Sequence, residues 1–427
     1  MNGQSGAATA DVVVIGAGLA GLVAAVRLAE AGLRVVTVAK GHGSLRLSPA
    51  TIDILGYGPG RVDSPARALP GFAAAHPEHP YALVGPGLLD DSVRWLKEHV
   101  DTYRYVGDAS ANMLLPTALG VPRPSAVVPE TMAAGDLRGA GPVLIAGLGV
   151  LKDFHPSLAA ENLQAATAAE GRAVRARPVL LDPPGGGPAD VGAVALARRF
   201  EDAAFRAAVA ARLRAAARAE EAIGLPAVLG IDRARSVWTE LQRETGRPVF
   251  EIPTAVPPSV PGMRLAGALA GRLRRAGGRF VLGAQVTGPQ LRNGTLTGVR
   301  VSSAARVTPR ACRWVVLATG GLASGGIDVD SSGAASERAL GLPVRAPGPG
   351  EAAFLPGYWD DHPMDLAGLR VDGSLRPVGP DGEPVYPNVF AAGAVIGGAR
   401  PWREKSGDGI SLSTGYLAAE AILKEAG

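Results

Sequence analysis

The chain of 427 residues carries a single cysteine, Cys312. No intramolecular disulfide can form, and with no C-x-x-C pair neither an iron–sulfur cluster nor a cysteine-bound structural zinc is expected. Aromatic residues are scarce at 5%, and neither sign of charge dominates, the formal net charge being only +4. The basic residues are not gathered into the stripe of a nucleic-acid binder. Long apolar runs are missing too. The best candidate, Val12 to Val26, is 15 residues long, contains Gly16, Gly18 and Gly21, and has no Lys or Arg before it. It is too short for a spanning helix and lacks the basic start of a signal peptide. A cytoplasmic protein is expected, with peripheral membrane attachment left open. Patterns of the types H-x-x-x-H, G-x-S-x-G and the P-loop are absent, which leaves metal hydrolase, serine hydrolase and nucleotide triphosphatase readings without support.

What is present is 47% hydrophobic residue, enough for a large core and two domains, with 58 Gly and 35 Pro spread as loop punctuation. The most informative stretch is Asp11 to Lys40. An apolar strand, Val12 to Ile15, runs into Gly16, Gly18 and Gly21, then an Ala- and Leu-rich helix, Gly32, and a second strand from Val35 to Val38. This is a βαβ unit with the spacing that binds a dinucleotide. Gly16 permits the tight turn, Gly18 lets backbone approach a phosphate, and Gly21 lets the helix pack on the strand. The helix start offers free N–H groups to an anion. One usual feature is missing: the second strand ends in Ala39 and Lys40, where an acid would hold ribose hydroxyls.

Beyond the opening unit, Gly41 to Pro86 is loop-rich and Asp91 to His99 reads as a short helix. VLIAGLGVLKDF predicts a strand, Val143 to Ala146, a turn with Gly147 and Gly149, and a helix near Pro156 to Glu170. With only two glycines it reads as a strand–loop–helix joint of a second α/β layer. Ala189 to Gly224 reads as one or two solvated helices, followed by a strand at Ala227 to Ile231 and a helix at Val237 to Thr245. A helix at Gly262 to Ala276 precedes a hairpin, Gln285 to Leu291 and Thr295 to Ser302, turned at Asn293-Gly294. A buried strand from Trp314 ends in Ala318, Thr319, Gly320 and Gly321, and YPNVFAAGAVIGG runs into glycines before a terminal helix.

The opening βαβ, the A-T-G strand end and the N-V-F-A-A-G strand before a closing helix occur in the order of the two-dinucleotide-binding-domain flavoproteins. The set resembles their fumarate reductase and succinate dehydrogenase branch. SPATIDIL, HPEHPYAL, VLIAGLGVLKDF, PTAVPPSVPGMRL and VLATGGLASGG are similar, more narrowly, to the family of B subunits of anaerobic glycerol-3-phosphate dehydrogenase. The resemblance implies an α/β protein with a discontinuous Rossmann-like flavin-binding domain, residues 8–60 and 253–427, and an inserted α/β cap domain, residues 61–252. It implies a flavin held by Gly16, Ala17, Gly18, Leu19, Ala20, Gly21, Lys40, Gly41, Ala318, Thr319, Gly320, Gly393, Ala394, Ile410 and Ser411. It also implies oxidation of glycerol 3-phosphate with electrons passed toward quinone, alongside an FAD subunit and an iron–sulfur membrane-anchor subunit.

Two departures bear on the flavin. Ala39 replaces the ribose-binding acid, and Ala394 replaces the acid that follows the last strand's glycine in relatives. Loss of the first removes about 1–3 kcal/mol of charge-assisted hydrogen bonding to an adenosine ribose. Lys40 would favour a terminal phosphate, which FMN has and FAD lacks. FMN is therefore expected, with FAD the alternative.

For catalysis the candidates are Arg264, at a helix start after a proline-rich loop, His362 in DDHPMDLAG, and Arg400 after Gly397-Gly398. Arg403 and Lys405 accompany Arg400, while His79 and Tyr81 read as loop-structural. Each arginine could equally be a surface group and His362 a loop cap. Two other function classes stay open: a non-catalytic electron-bridging subunit, and an NAD(P) dehydrogenase in which Lys40 reads a 2′-phosphate. No metal site is expected.

Overall fold

The computed structural model describes residues 10–139, 141–182, 184, 189–253, 257–348 and 350–427. Residues 8 and 9, assigned above to the flavin domain, lie outside that set. The chain divides into two compact units, each discontinuous.

The first unit runs up to Ser44 and resumes at Ala68–Trp95 and Leu269–Gly427. Its sheet has five parallel strands in the spatial order Arg279–Leu282, Val35–Ala39, Val12–Ile15, Trp314–Leu317, Val389–Ala391. Numbered along the chain this is 3-2-1-4-5, the doubly wound order of dinucleotide-binding folds. The strands are near-continuous apolar runs, and Val12, Val13, Val14, Val315, Val316 and Leu317 are fully buried, as a parallel sheet covered on both faces requires. The helix Leu19–Glu30 packs against the terminal helix Gly407–Ala426 through small residues: a Cβ on Gly415 would stand 2.4 Å from the Ala20 carbonyl oxygen. Arg27 pairs with Glu420 and lies 3.9 Å over the Tyr416 ring, fixing the same pair of helices. An antiparallel three-stranded sheet, Gln285–Arg292, Thr295–Ser303 and Arg306–Ala311, completes this unit. Its first turn has φ of +51° at Asn293 and +78° at Gly294, the twist that Asn-Gly provides.

The second unit comprises Leu45–Arg67 and Leu96–Ala268. It holds a parallel sheet in the order Val249–Ile252, Ala222–Pro226, Val143–Leu148, Ala176–Leu181. Helices Pro156–Ala169, Ala193–Phe200, Ala203–Ala216 and Ala234–Thr245 accompany it, and Leu144, Phe200, Leu213 and Phe250 are fully buried. The strand expected at Ala227 to Ile231 lies five residues earlier. Residues 227–231 form a loop because their N–H groups bond to side chains: Leu229 donates to Glu251 at 2.9 Å and Ile231 to Glu201 at 2.8 Å.

The units differ from the sequence partition in two segments. Leu45–Arg67 belongs with the second unit, where Ile52 bridges Val127 and Tyr105 Oη donates to the Ala50 carbonyl at 2.7 Å. Ala68–Trp95 belongs with the first, where Trp95 packs edge-on to Tyr416, ring centroids 6.4 Å apart.

Candidate functional site

The first sheet's topology reverses between Val12–Ile15 and Trp314–Leu317, and ligands of such sheets bind beyond the carboxyl ends at that point. Gly16 and Ala318 leave these two strands side by side. Gly16 has φ +116°, and a Cβ there would stand 2.1 Å from the Ala318 carbonyl oxygen. A Cβ on Gly21 would stand 2.3 Å from the Gly16 carbonyl oxygen, so the helix sits directly on the turn. Gly18 is different. It caps the helix with no side-chain hydrogen bond, the first turn holds no acid, and a Cβ built on it meets nothing within 4 Å. The helix start is bare and the space over it is open.

Three further segments close around this turn. Gly43 packs so tightly that a Cβ there would lie 2.8 Å from the Gly18 nitrogen, which brings Lys40 and Gly41 beside the cradle. Lys40 is exposed, and Gly41 faces open space. Thr319 Oγ1 is buried with no hydrogen-bond partner. Gly393, at φ +75°, presents its Cβ direction 3.0 Å from the Ala20 Cβ and 3.6 Å from Ser411 Oγ, and its N–H donates to Thr414 Oγ1 at 2.8 Å. Thus Gly16 to Gly21, Lys40, Gly41, Ala318 to Gly320, Gly393, Ala394, Ile410 and Ser411 all belong to the first unit. An open helix start, a neighbouring lysine and an orphaned hydroxyl fit the phosphate and polyol groups of a flavin nucleotide. Gly43 and Thr414 were missed by sequence reading. The G-H-G run after Lys40 was the available signal for the first.

The expected catalytic side chains are less accessible. Arg264 lies in the second unit with its side chain fully buried. It makes a bidentate pair with Glu251, at 2.7 and 2.9 Å, and Nε donates to the Gly230 carbonyl at 2.8 Å. Thr131 and the Leu229 amide complete the carboxylate's partners, at 2.8 and 2.9 Å. This guanidinium holds the second unit together and offers no free fork to a substrate. His362 accepts from the Leu355 amide at Nδ1 (3.1 Å), and Nε2 lies 3.3 Å from the Tyr358 carbonyl, so the ring is wired into its own loop. Arg400 has a buried Nε without a hydrogen-bond partner, 3.9 Å from Asp361 Oδ1. Arg403 takes the closer place on Asp361, at 2.9 Å.

His79 is 1% exposed and part of a network beside Arg400. The Tyr81 amide donates to His79 Nδ1 at 3.1 Å, and Nε2 therefore carries the proton it shares with Glu404 Oε2 at 3.1 Å. Ser406 donates to the same oxygen at 2.7 Å, and the Arg400 amide to Oε1 at 2.7 Å. Burial alone would raise the Glu404 pKa, but these donors hold it below the ordinary value. The network fixes the corner from which the terminal helix starts.

Among the described residues no group of three or more His, Cys, Asp or Glu could hold a metal ion. No helix among them is long and apolar enough to cross a membrane.

A family model described as an FAD binding domain matches residues 11–410. A relative from Halobacterium salinarum (strain ATCC 29341 / DSM 671 / R1), named as the probable B subunit of an anaerobic glycerol-3-phosphate dehydrogenase, is 35% identical, covering 97% of this chain and 99% of its own. The corresponding B subunit of Pectobacterium carotovorum subsp. carotovorum (strain PC1) is 34% identical over the same 97% and 99%. The chain belongs to this family of FAD-binding B subunits. Another member, from Yersinia pseudotuberculosis serotype I (strain IP32953), is 32% identical with 97% and 98% covered. Among solved structures, a flavocytochrome c3 fumarate reductase in its open conformation is 10% identical with a TM-score of 0.46, covering 99% of this chain and 79% of that one. A likeness at that level carries no argument, and the fold stands on the strand order above. The family is described by FAD, and the comparisons give the expected FMN no support.

Proposed function

We propose that the chain is the B subunit of an anaerobic glycerol-3-phosphate dehydrogenase and holds FAD in the cradle around Gly18. The observation that carries this reading is the bare, open helix start at the sheet's switch point. It gains its substrate from the names of relatives that align over 97% of the chain.

A bound flavin would supply an acceptor for the two electrons that leave the carbinol carbon. The chain's own groups do the holding. Amides at the start of Leu19–Glu30 and Lys40 face phosphate, and Thr319 Oγ1 gains the partner it lacks. Arg400, with an unbonded Nε, retains donor capacity for an anionic substrate. For His362 to take the hydroxyl proton at Nδ1, it must first release the Leu355 amide. Electrons then pass toward quinone through partner subunits, which also provide any attachment to the membrane.

Cofactor released by acid from purified protein, separated by chromatography, tests the flavin: FAD at one per chain is expected. FMN in its place would restore the argument from Ala39 and Lys40. No flavin after reconstitution with either would remove the reading. A second reading, a flavin-bearing electron bridge without its own substrate turnover, is favoured by the enclosure of Arg264 and the loop bonds of His362. Glycerol 3-phosphate oxidation by the isolated chain with a dye acceptor separates the two.

A further inference from the structure

Strands Val344–Arg345 and Gly368–Leu369 pair antiparallel in the first unit, with Arg345 opposite Gly368. Residues directly opposite share a face, and the next residue but one returns to it, so Arg345, Gly368 and Arg370 lie on the same face. Diagonal neighbours of this kind are about 7–8 Å apart at Cα, within reach of two long side chains. Leu369 faces the other way and is 1% exposed.

Between the arginines, Gly368 contributes no side chain, and the space is a pocket of about 150 Å³. Its floor is backbone: a Cβ on Gly368 would stand 2.3 Å from the Gly397 nitrogen, and one on Gly398 2.3 Å from the Glu78 carbonyl oxygen. Leu83, Leu366 and Ile396 form its apolar wall, and Arg345, Arg370 and Glu78 its charged rim. Gly397 and Gly398 come three and four residues after Ala394, so the pocket adjoins a segment of the proposed flavin site along the chain.

The charges on this rim do not balance. Arg345 pairs with Glu78, whereas the Arg370 side chain has no hydrogen-bond or ion-pair partner among the described residues. Two cations on neighbouring positions repel, and a second anion between them would remove that cost. A guanidinium fork also fits a phosphate in bidentate fashion. Arg264 cannot serve, being saturated by Glu251.

We propose that Arg370 and Arg345 seat the phosphate of a small phosphomonoester substrate, with Glu78 as the internal carboxylate that gives up Arg345 when the ligand enters. The proposal rests on the reading above for the identity of that substrate, but not for the seat itself.

Calorimetric titration of the full chain with inorganic phosphate, glycerol 3-phosphate and glycerol tests it. Arg370→Gln should weaken both phosphate ligands by roughly tenfold, the loss of a charge-assisted pair. Glu78→Gln should strengthen both severalfold, because Arg345 is released. Glycerol should show no dependence on either residue, and both variants should keep flavin content and melting temperature. Unchanged phosphate affinity in Arg370→Gln, or weaker affinity in Glu78→Gln, would overturn the seat. The two proposals fail separately. Arg370-dependent phosphate binding without oxidation of glycerol 3-phosphate leaves the seat and removes the function. Oxidation with an unaltered KM in Arg370→Gln leaves the function and removes the seat.

Discussion

Each unit builds a parallel sheet in which a central strand runs through a Gly-x-Gly turn into a helix, and only one of the two turns is left open. After Ile15, Gly18 caps its helix with no side chain and no neighbour within 4 Å of its Cβ direction. After the second unit's strand Val143–Leu148 the same space is filled. Gly149 donates to the Leu181 carbonyl at 2.9 Å, Lys152 donates to the Gly149 carbonyl at 2.6 Å, and Leu151 and Phe154 fold into the core. Pro156 begins that helix and removes one of its free N–H groups. The other helix start at this sheet is closed by Glu201, whose carboxylate accepts the amides of Ile231, Asp232 and Arg233 at 2.8, 2.7 and 3.1 Å. Similar topology therefore yields a ligand site in one unit and a scaffold in the other. The difference lies in whether the chain spends its helix starts on itself.

If that contrast is right, the two turns should respond oppositely to substitution. The largest effect is expected at Gly16, where φ is +116° and any Cβ collides with Ala318. Gly16→Ala should give no soluble folded protein, as measured by expression and circular dichroism. Next comes Glu251→Ala, which strands the Arg264 charge in a dry interior. It should cost about 3–5 kcal/mol in urea unfolding, an effect on the scaffold.

The local half of this architecture was legible in the sequence. The opening βαβ, the Asn293-Gly294 hairpin and the strand from Trp314 each follow from spacing and apolar runs within a few residues. The rest depends on partners remote in the chain. Nothing near Arg264 announces that Glu251 would meet it, and the strand read at Ala227 was displaced because Glu251 and Glu201 claim that loop's amides. Of the site, the glycines and Thr319 could be read in advance. The pocket between Arg345 and Arg370 could not, since two-residue strands leave no periodic signal.

A smaller effect separates the closed turns from the open one by pH. Burial tends to raise the Glu201 pKa, yet its three backbone donors and Arg233 bring it below 4.5. A carboxyl lowered in the folded state stabilises fully above its unfolded value and loses that contribution as pH falls through the folded one. Glu201→Gln should therefore cost about 1 kcal/mol at pH 7, the usual worth of a helix cap, and the gap should narrow below pH 4.5. Denaturant midpoints across pH 3 to 7, on the order of the range where carboxyls titrate, would show it. A gap independent of pH would mean that the carboxylate is not what closes that helix start.

The central claim is that the space over Gly18 belongs to a ligand. Gly18 has φ −73° and ψ −178°, a conformation open to any residue, and a side chain there meets no protein atom. Gly18→Val should accordingly keep the circular dichroism spectrum and melting temperature of the flavin-free protein while losing bound flavin, read from absorbance after gel filtration. A folded Gly18→Val protein that retains flavin at one per chain would contradict the account, because the open turn would then not be the phosphate cradle.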